Sequence, residues 1–180
     1  RTRKKGQINL FNYSEQFDNA YWTKSRILIS TDATVAPDGT TTAEKIIPNA
    51  VTQLHYLYAA VSAMSEPFTF SVFAKAAGYN FIKLYSNNSS TCSANFNLAT
   101  GQVGLTGGTG FNSARITDFG EGWYRCEMTS NTFSGSIPNG IYVRSTEQDP
   151  VTSASNQAGN DSDGAYRWGA QVSEGLIITP

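Results

Sequence analysis

Phe68-Thr69-Phe70-Ser71-Val72-Phe73-Ala74-Lys75 alternates strictly along its length. Successive β-carbons of an extended chain point to opposite faces, so Phe68, Phe70, Val72 and Ala74 share one side and Thr69, Ser71, Phe73 and Lys75 the other. A helix would scatter the same four apolar residues around its circumference. The stretch predicts a strand with one side in a core.

Its neighbours repeat the pattern in both directions. Phe81 to Tyr85 sets Ile82 and Leu84 against Phe81, Lys83 and Tyr85. Asn95 to Leu98 and Gln102 to Leu105 flank Thr100-Gly101, a hairpin signal. Ala114 to Phe119 and Trp123 to Thr129 are joined by Gly120-Glu121-Gly122, and Ile141 to Ser145 and Ala165 to Val172 complete the C-terminal half. Toward the N-terminus lie Leu54 to Ala60, Ala43 to Ile47, Ile27 to Ile29 and Ile8 to Phe11, with a turn at Ala36-Pro37-Asp38-Gly39. About ten short strands at fairly even spacing, with no helical periodicity, predict an all-β, two-sheet antiparallel sandwich or barrel. Asn12 to Lys24 fits neither periodicity. Thr146 to Gly164 is the longest loop, of the kind that often carries function. Residues 1–7 read as a tail or linker and residues 8–180 as a single domain, and the start without Met fits a piece of a longer protein.

Composition narrows the partners. The 180 residues carry 13 basic and 14 acidic side chains, without the basic surplus that phosphate neutralisation uses, so nucleic acid is not an expected partner. Nothing approaches the ~18 consecutive apolar residues of a spanning helix, so no membrane insertion is expected. Cys92 and Cys126 are the only cysteines and are read as two reduced, buried thiols, with a single bridge between neighbouring strands as the alternative.

Material for catalysis is thin. His55 is the only histidine, which excludes histidine metal clusters, and no G-x-S-x-G elbow supports a triad built on it. A carboxylate pair for glycoside hydrolysis needs a separation of roughly 5–10 Å, but Asp38, Asp118, Glu121, Asp161 and Asp163 all fall in turn sequences. Gly104-Leu105-Thr106-Gly107-Gly108-Thr109-Gly110 lacks the Lys-Ser or Lys-Thr of a phosphate loop. Asp161-Ser162-Asp163-Gly164 opens like a calcium loop, but Val172 stands where the closing glutamate would be.

What remains is a set of side chains suited to sugars, whose C–H faces stack on aromatic rings and whose hydroxyls bond to charged or amide groups. Strand alternation pairs Tyr56 with Tyr58, Lys83 with Tyr85, Arg125 with Glu127, and Tyr142 with Arg144. These eight are the candidate ligand-binding residues, read as exposed, with Trp22, Trp123 and Trp168 assigned to the core.

Asn9-Leu10-Phe11-Asn12-Tyr13-Ser14-Glu15-Gln16-Phe17-Asp18-Asn19-Ala20-Tyr21-Trp22 resembles the opening of the jelly-roll domain repeated in phage tail and tail-fibre proteins. Ala36-Pro37-Asp38-Gly39-Thr40-Thr41-Thr42-Ala43, Phe70-Ser71-Val72-Phe73-Ala74-Lys75, Phe96-Asn97-Leu98-Ala99-Thr100-Gly101, Gly122-Trp123-Tyr124-Arg125-Cys126 and Trp168-Gly169-Ala170-Gln171-Val172 follow in order. That domain is similar in turn to the carbohydrate-binding modules of families four, nine and twenty-two. The resemblance implies a galactose-binding-like jelly roll, glycan binding on a concave sheet face and a structural calcium held by acidic residues of the last strand. Ala170-Gln171 occupy that place here, so the expectation is no cofactor, with a structural calcium as the alternative. A shorter resemblance links Gln53-Leu54-His55 and Phe73-Ala74-Lys75-Ala76-Ala77-Gly78-Tyr79-Asn80 to jelly-roll alginate lyases, without their Arg-containing first motif.

The expected function is a non-catalytic glycan-binding, receptor-binding or adhesion module of a phage tail fibre or similar multidomain protein, located on the virion tail or outside the cell. Its partner would be a glycan or host-surface polysaccharide, together with other fibre subunits. A structural spacer of a fibre and a polysaccharide lyase are the alternatives.

Overall fold

The computed structural model describes residues 8–62, 67–86, 92–131, 137–144 and 156–175. Fourteen strands lie within them and no helix: β1 (Thr23–Ser25), β2 (Ile27–Thr34), β3 (Ala43–Pro48), β4 (Thr52–Gln53), β5 (Tyr56–Val61), β6 (Phe68–Ala77), β7 (Phe81–Ser86), β8 (Cys92–Asn97), β9 (Gln102–Gly107), β10 (Phe111–Asp118), β11 (Trp123–Ser130), β12 (Ile137–Arg144), β13 (Gln157–Ala158) and β14 (Gly164–Glu174). One sheet runs β1-β5-β12-β7-β8-β9, the other β10-β11-β6-β14-β3-β2, and β13 pairs with β4 in a short ribbon. Every strand pair is antiparallel. This is the two-sheet jelly-roll sandwich that the alternation and the motifs predict.

The core lies where alternation puts it. The first sheet turns Leu57, Ala59, Ile82, Leu84, Ala94, Phe96 and Ile141 inward. The second meets them with Phe68, Phe70, Val72 and Ala74 of β6, Cys126 and Met128 of β11, and Ala165 and Val172 of β14. The thiols of Cys92 and Cys126 are free and buried, as read from the sequence, and burial pushes both well above the usual thiol range.

Turn chemistry follows the residues that demanded it. Gly120, Glu121 and Gly122 all take positive φ, and the Asp118 carboxylate accepts the Gly120 N–H at 2.7 Å. Asp38 accepts both the amide and the hydroxyl of Thr40.

The strand count exceeds the expected ten because β1, β4 and β13 are two- or three-residue pieces in polar sequence, too short to show a period. Conversely, residues 8–11 form no strand. They run beside β14, where the Asn9 side chain accepts the Val172 N–H and donates to the Ala170 carbonyl. A side chain thus takes ladder positions that a backbone would otherwise fill. Residues 146–155 of the expected Thr146–Gly164 loop lie outside the described residues, and the remainder carries β13 and runs into β14 at Gly164.

Residues 11–22 close one end of the sandwich with an aromatic plug. Phe17 and Trp22 are buried with ring centroids 5.1 Å apart, and Phe11 lies 4.9 Å from Trp22. Buried Glu44 of β3 reaches the plug, accepting the N–H groups of Phe17 at 2.7 Å and Asp18 at 3.2 Å. Desolvation pushes its carboxyl up to about 7, against those two bonds. A carboxyl whose folded pKa is raised stabilises below its unfolded value and loses that contribution as pH rises through the folded one. We therefore expect thermal unfolding curves of the protein and of Glu44→Gln to diverge between about pH 4.5 and 7. The wild type should lose stability relative to the variant as pH rises, and a constant difference would refute this. Taking the difference cancels His55, whose pKa is held low by burial and which acts with the opposite sign.

Candidate functional site

Six of the eight candidate residues share the outer face of the first sheet. Register sets Tyr58 opposite Gly140 and Tyr56 opposite Tyr142 across β5 and β12. On the other side of β12, Gly140 faces Tyr85, Tyr142 faces Lys83 and Arg144 faces Phe81. Ser93 and Asn95 of β8 continue the rows beside Tyr85 and Lys83. Four tyrosines from three adjacent strands thus meet. Tyr56 and Tyr58 lie side by side with centroids 6.1 Å apart and planes only 26° off parallel. Tyr142 stands 5.4 Å from Tyr56 and 4.9 Å from Tyr85.

A glycine makes the arrangement possible. A β-carbon at Gly140 would lie 2.3 Å from Cζ and Oη of Tyr85, so the Tyr85 ring is laid across bare backbone of β12. The polar groups are inlaid among the rings: the Lys83 ammonium sits 5.7 Å from the centroid of Tyr142, and the Asn95 amide donates to the Leu105 carbonyl at 2.9 Å.

None of these six has the full exposure expected of it. Tyr56 and Tyr58 are half-buried, whereas Tyr85, Tyr142 and Arg144 are buried and Lys83 is fully so. Burial pushes the Tyr85 phenol far above its ordinary pKa, with Tyr142, Tyr56 and Tyr58 adding to the shift, and lowers that of Arg144. The face is a packed tyrosine cluster whose open edge is the Tyr56–Tyr58 pair.

Arg125 and Glu127 do not join it. They project from β11 on the outer face of the second sheet, across the sandwich from the tyrosines. There Glu127, buried, takes Arg115 at 2.7 Å and Arg125 at 3.4 Å. Arg125 also lies 5.9 Å from the Phe73 centroid. Phe73 packs on Phe119 and Trp168, beside buried Trp123. Parity along β11 places Arg125 and Glu127 together, but parity carries no information about which sheet a strand joins. Of the tryptophans assigned to the core, Trp22 and Trp123 are buried, and Trp168 is partly so on this outer face.

His55 stands just before β5 and is buried, its Nε2 3.0 Å from the Asn49 carbonyl oxygen. Tyr79 is buried too, its hydroxyl donating to the Ala158 carbonyl. Asp163 accepts from the Asn160 amide within its own turn, whereas Asp161 accepts the Ala50 N–H and ties that turn to the segment after β3. Among the described residues no group of three His, Cys, Asp or Glu side chains could hold a metal ion.

The architecture is that of the jelly-roll sandwich, shared with solved carbohydrate-binding modules and a phage tailspike. The chain matches the enzymatically active domain of tailspike protein 4 of bacteriophage CBA120 with a TM-score of 0.55 at 10% identity, over 93% of this chain and 21% of that one. It therefore spans about a fifth of the tailspike chain. It matches TmCBM61, solved with β-1,4-galactotriose, with a TM-score of 0.53 at 8% identity, over 93% and 99% of the two chains. The CBM22-1 xylan-binding domain from Paenibacillus barcinonensis gives 0.51 at 10% identity, over 97% and 99%. At these identities the likeness is one of fold. Neither a protein-family model nor a curated protein sequence matches this chain.

Proposed function

We propose that this domain is a non-catalytic glycan-binding module that grips sugar rings on the outer face of the first sheet, through the Tyr56–Tyr58 edge of the tyrosine cluster. The near-parallel pair of partly exposed rings carries this reading: two aromatic faces 6.1 Å apart offer adjacent stacking surfaces to a saccharide chain. Tyr142 and Tyr85 behind them hold the pair in place, as the rigid inner wall of a pocket does. The jelly-roll fold shared with two sugar-binding modules supports the assignment. Placement on a phage tail fibre or a similar extracellular adhesin, alongside other fibre subunits, rests on the tail-fibre resemblance and the tailspike match.

The state of the only imidazole supports a non-catalytic role. The only imidazole is buried, bonded at Nε2 and held below its usual pKa. It sits one residue before Tyr56, so strand parity turns it away from the tyrosine face. A lyase acting through His55 would need uronate polymers to yield an unsaturated product absorbing in the ultraviolet, and no such growth is expected.

The burial of Tyr85, Tyr142 and Lys83 supports a second reading, a spacer whose outer face is filled for stability alone. Binding separates the two. A shallow aromatic edge holds a sugar near millimolar, about 4 kcal/mol, while presentation in several copies raises avidity by ~10²–10⁴. A trimerised form of the domain is therefore expected to bind members of a glycan array and the isolated domain to bind poorly. Tyr58→Ala should lower the trimer's surface binding at least about tenfold while moving the unfolding temperature by no more than about 3 °C. A trimer that binds nothing across a broad glycan and host-cell panel establishes the spacer.

A further inference from the structure

The plug that closes the sandwich is held from two sides by polar side chains. On one, Glu44 collects the N–H groups of Phe17 and Asp18. On the other, the carbonyl oxygens of Phe17, Asp18, Asn19 and Trp22 converge on the Lys24 ammonium at 3.3, 2.9, 2.9 and 3.0 Å. Successive turns create this convergence. Asn19 donates its N–H to the Gln16 carbonyl and Trp22 donates to that of Asn19, while the Asn19 side chain accepts the Tyr21 N–H. Lys24 then lies in β1, directly after the loop whose oxygens it gathers.

Four main-chain oxygens around one point exceed the three N–H donors of an ammonium. The array is thus closer to ion coordination than to directed hydrogen bonding, and rings of carbonyls are how proteins replace the hydration shell of a potassium ion. We infer that residues 17–22 form a cation site whose cation is built into the chain: the Lys24 ammonium fills the oxygen cage and orders the plug without an exchangeable metal. The donor set fits a monovalent ion. All four oxygens are uncharged carbonyls, with none of the carboxylates that calcium sites draw on. At the last strand, where the resemblance implies calcium, Ala170 is buried and donates its N–H to the Ser14 carbonyl.

Whole-chain thermal unfolding tests this at constant ionic strength. The wild type is expected to keep its unfolding temperature in chelator and on exchange of potassium for tetramethylammonium. Lys24→Ala, with its cage emptied, should unfold roughly 4–8 °C lower in tetramethylammonium chloride. It should regain at least half of that loss in ammonium or potassium chloride, whose cations fit the vacated space. Equal stability of Lys24→Ala and wild type, recovery indifferent to the ion, or a chelator-dependent wild type each overturns the inference. Should Lys24→Ala not fold in any salt, amine acylation of the wild type decides. Lys24 must then react about tenfold more slowly than Lys45 and Lys75, as protection by folded structure requires, and equal reactivity overturns the proposal.

Discussion

Tyr85→Ala is expected to cost about 3–5 kcal/mol of stability, the range for removing a buried aromatic ring, and to lower the unfolding temperature by roughly 10 °C. The ring is 4% exposed, 4.9 Å from Tyr142 and 6.5 Å from Tyr56, and lies across Gly140. Its removal leaves a cavity bounded by β12 and two other rings, which a sheet held by backbone ladders cannot close. Tyr85→Phe keeps the packing and should stay within about 1.5 kcal/mol of the wild type. Gly140→Ala attacks the same contact from below: its new methyl group must displace the Tyr85 ring, so it should also destabilise, although it removes no atom. Denaturant titration of the three variants separates packing from ligand contact. If Tyr85→Ala loses less than about 1 kcal/mol, the ring is an exposed ligand contact, as alternation alone suggests.

That reversal shows where reading the sequence reaches its limit. Alternation in β6 and β7 placed Phe70, Val72, Ile82 and Leu84 correctly in the core, because a strand's two faces are fixed by its own residues. It also grouped Tyr56 with Tyr58 and Tyr142 with Arg144. It could not show that β5, β12 and β7 are neighbours while β11 lies in the opposite sheet, since that order is set by contacts far apart in sequence. Arg125 and Glu127 were therefore grouped with tyrosines they never meet. Nor does polarity reveal burial when the outer face is itself packed: Lys83 sits fully buried beside the Tyr142 ring. Asn12 to Lys24 resisted assignment for a related reason. Its amides and carbonyls are satisfied by Glu44 and Lys24 rather than by a ladder, and no local period records such partners.

Arg167 carries the opposite expectation, a gain. It lies in β14 on the inward face, in register with Ala74 of β6 and Glu44 of β3, and is completely buried. Among the described residues none of its guanidinium nitrogens has a hydrogen-bond partner. Glu44, its register partner on β3, is committed to the amides of Phe17 and Asp18, and the Cys126 thiol stays neutral because burial raises its pKa. Burial accordingly pulls the guanidinium down to about 9. A charge in the interior without a partner costs several kcal/mol, and replacing such groups with apolar side chains of similar volume often gains about 1–4 kcal/mol. Arg167→Met keeps an unbranched stem, fills irregular space well, and should raise stability in that range. A basic group whose folded pKa is depressed stabilises above its unfolded value and loses that contribution as pH falls through the folded one. The advantage of the variant should thus be full below about pH 9 and shrink as pH rises beyond it. Denaturant titrations of both proteins at pH 7 and pH 10 read the difference directly. A variant less stable than the wild type at pH 7 would mean that the guanidinium has a buried water or anion as its partner, and that the interior of the sandwich is built around it.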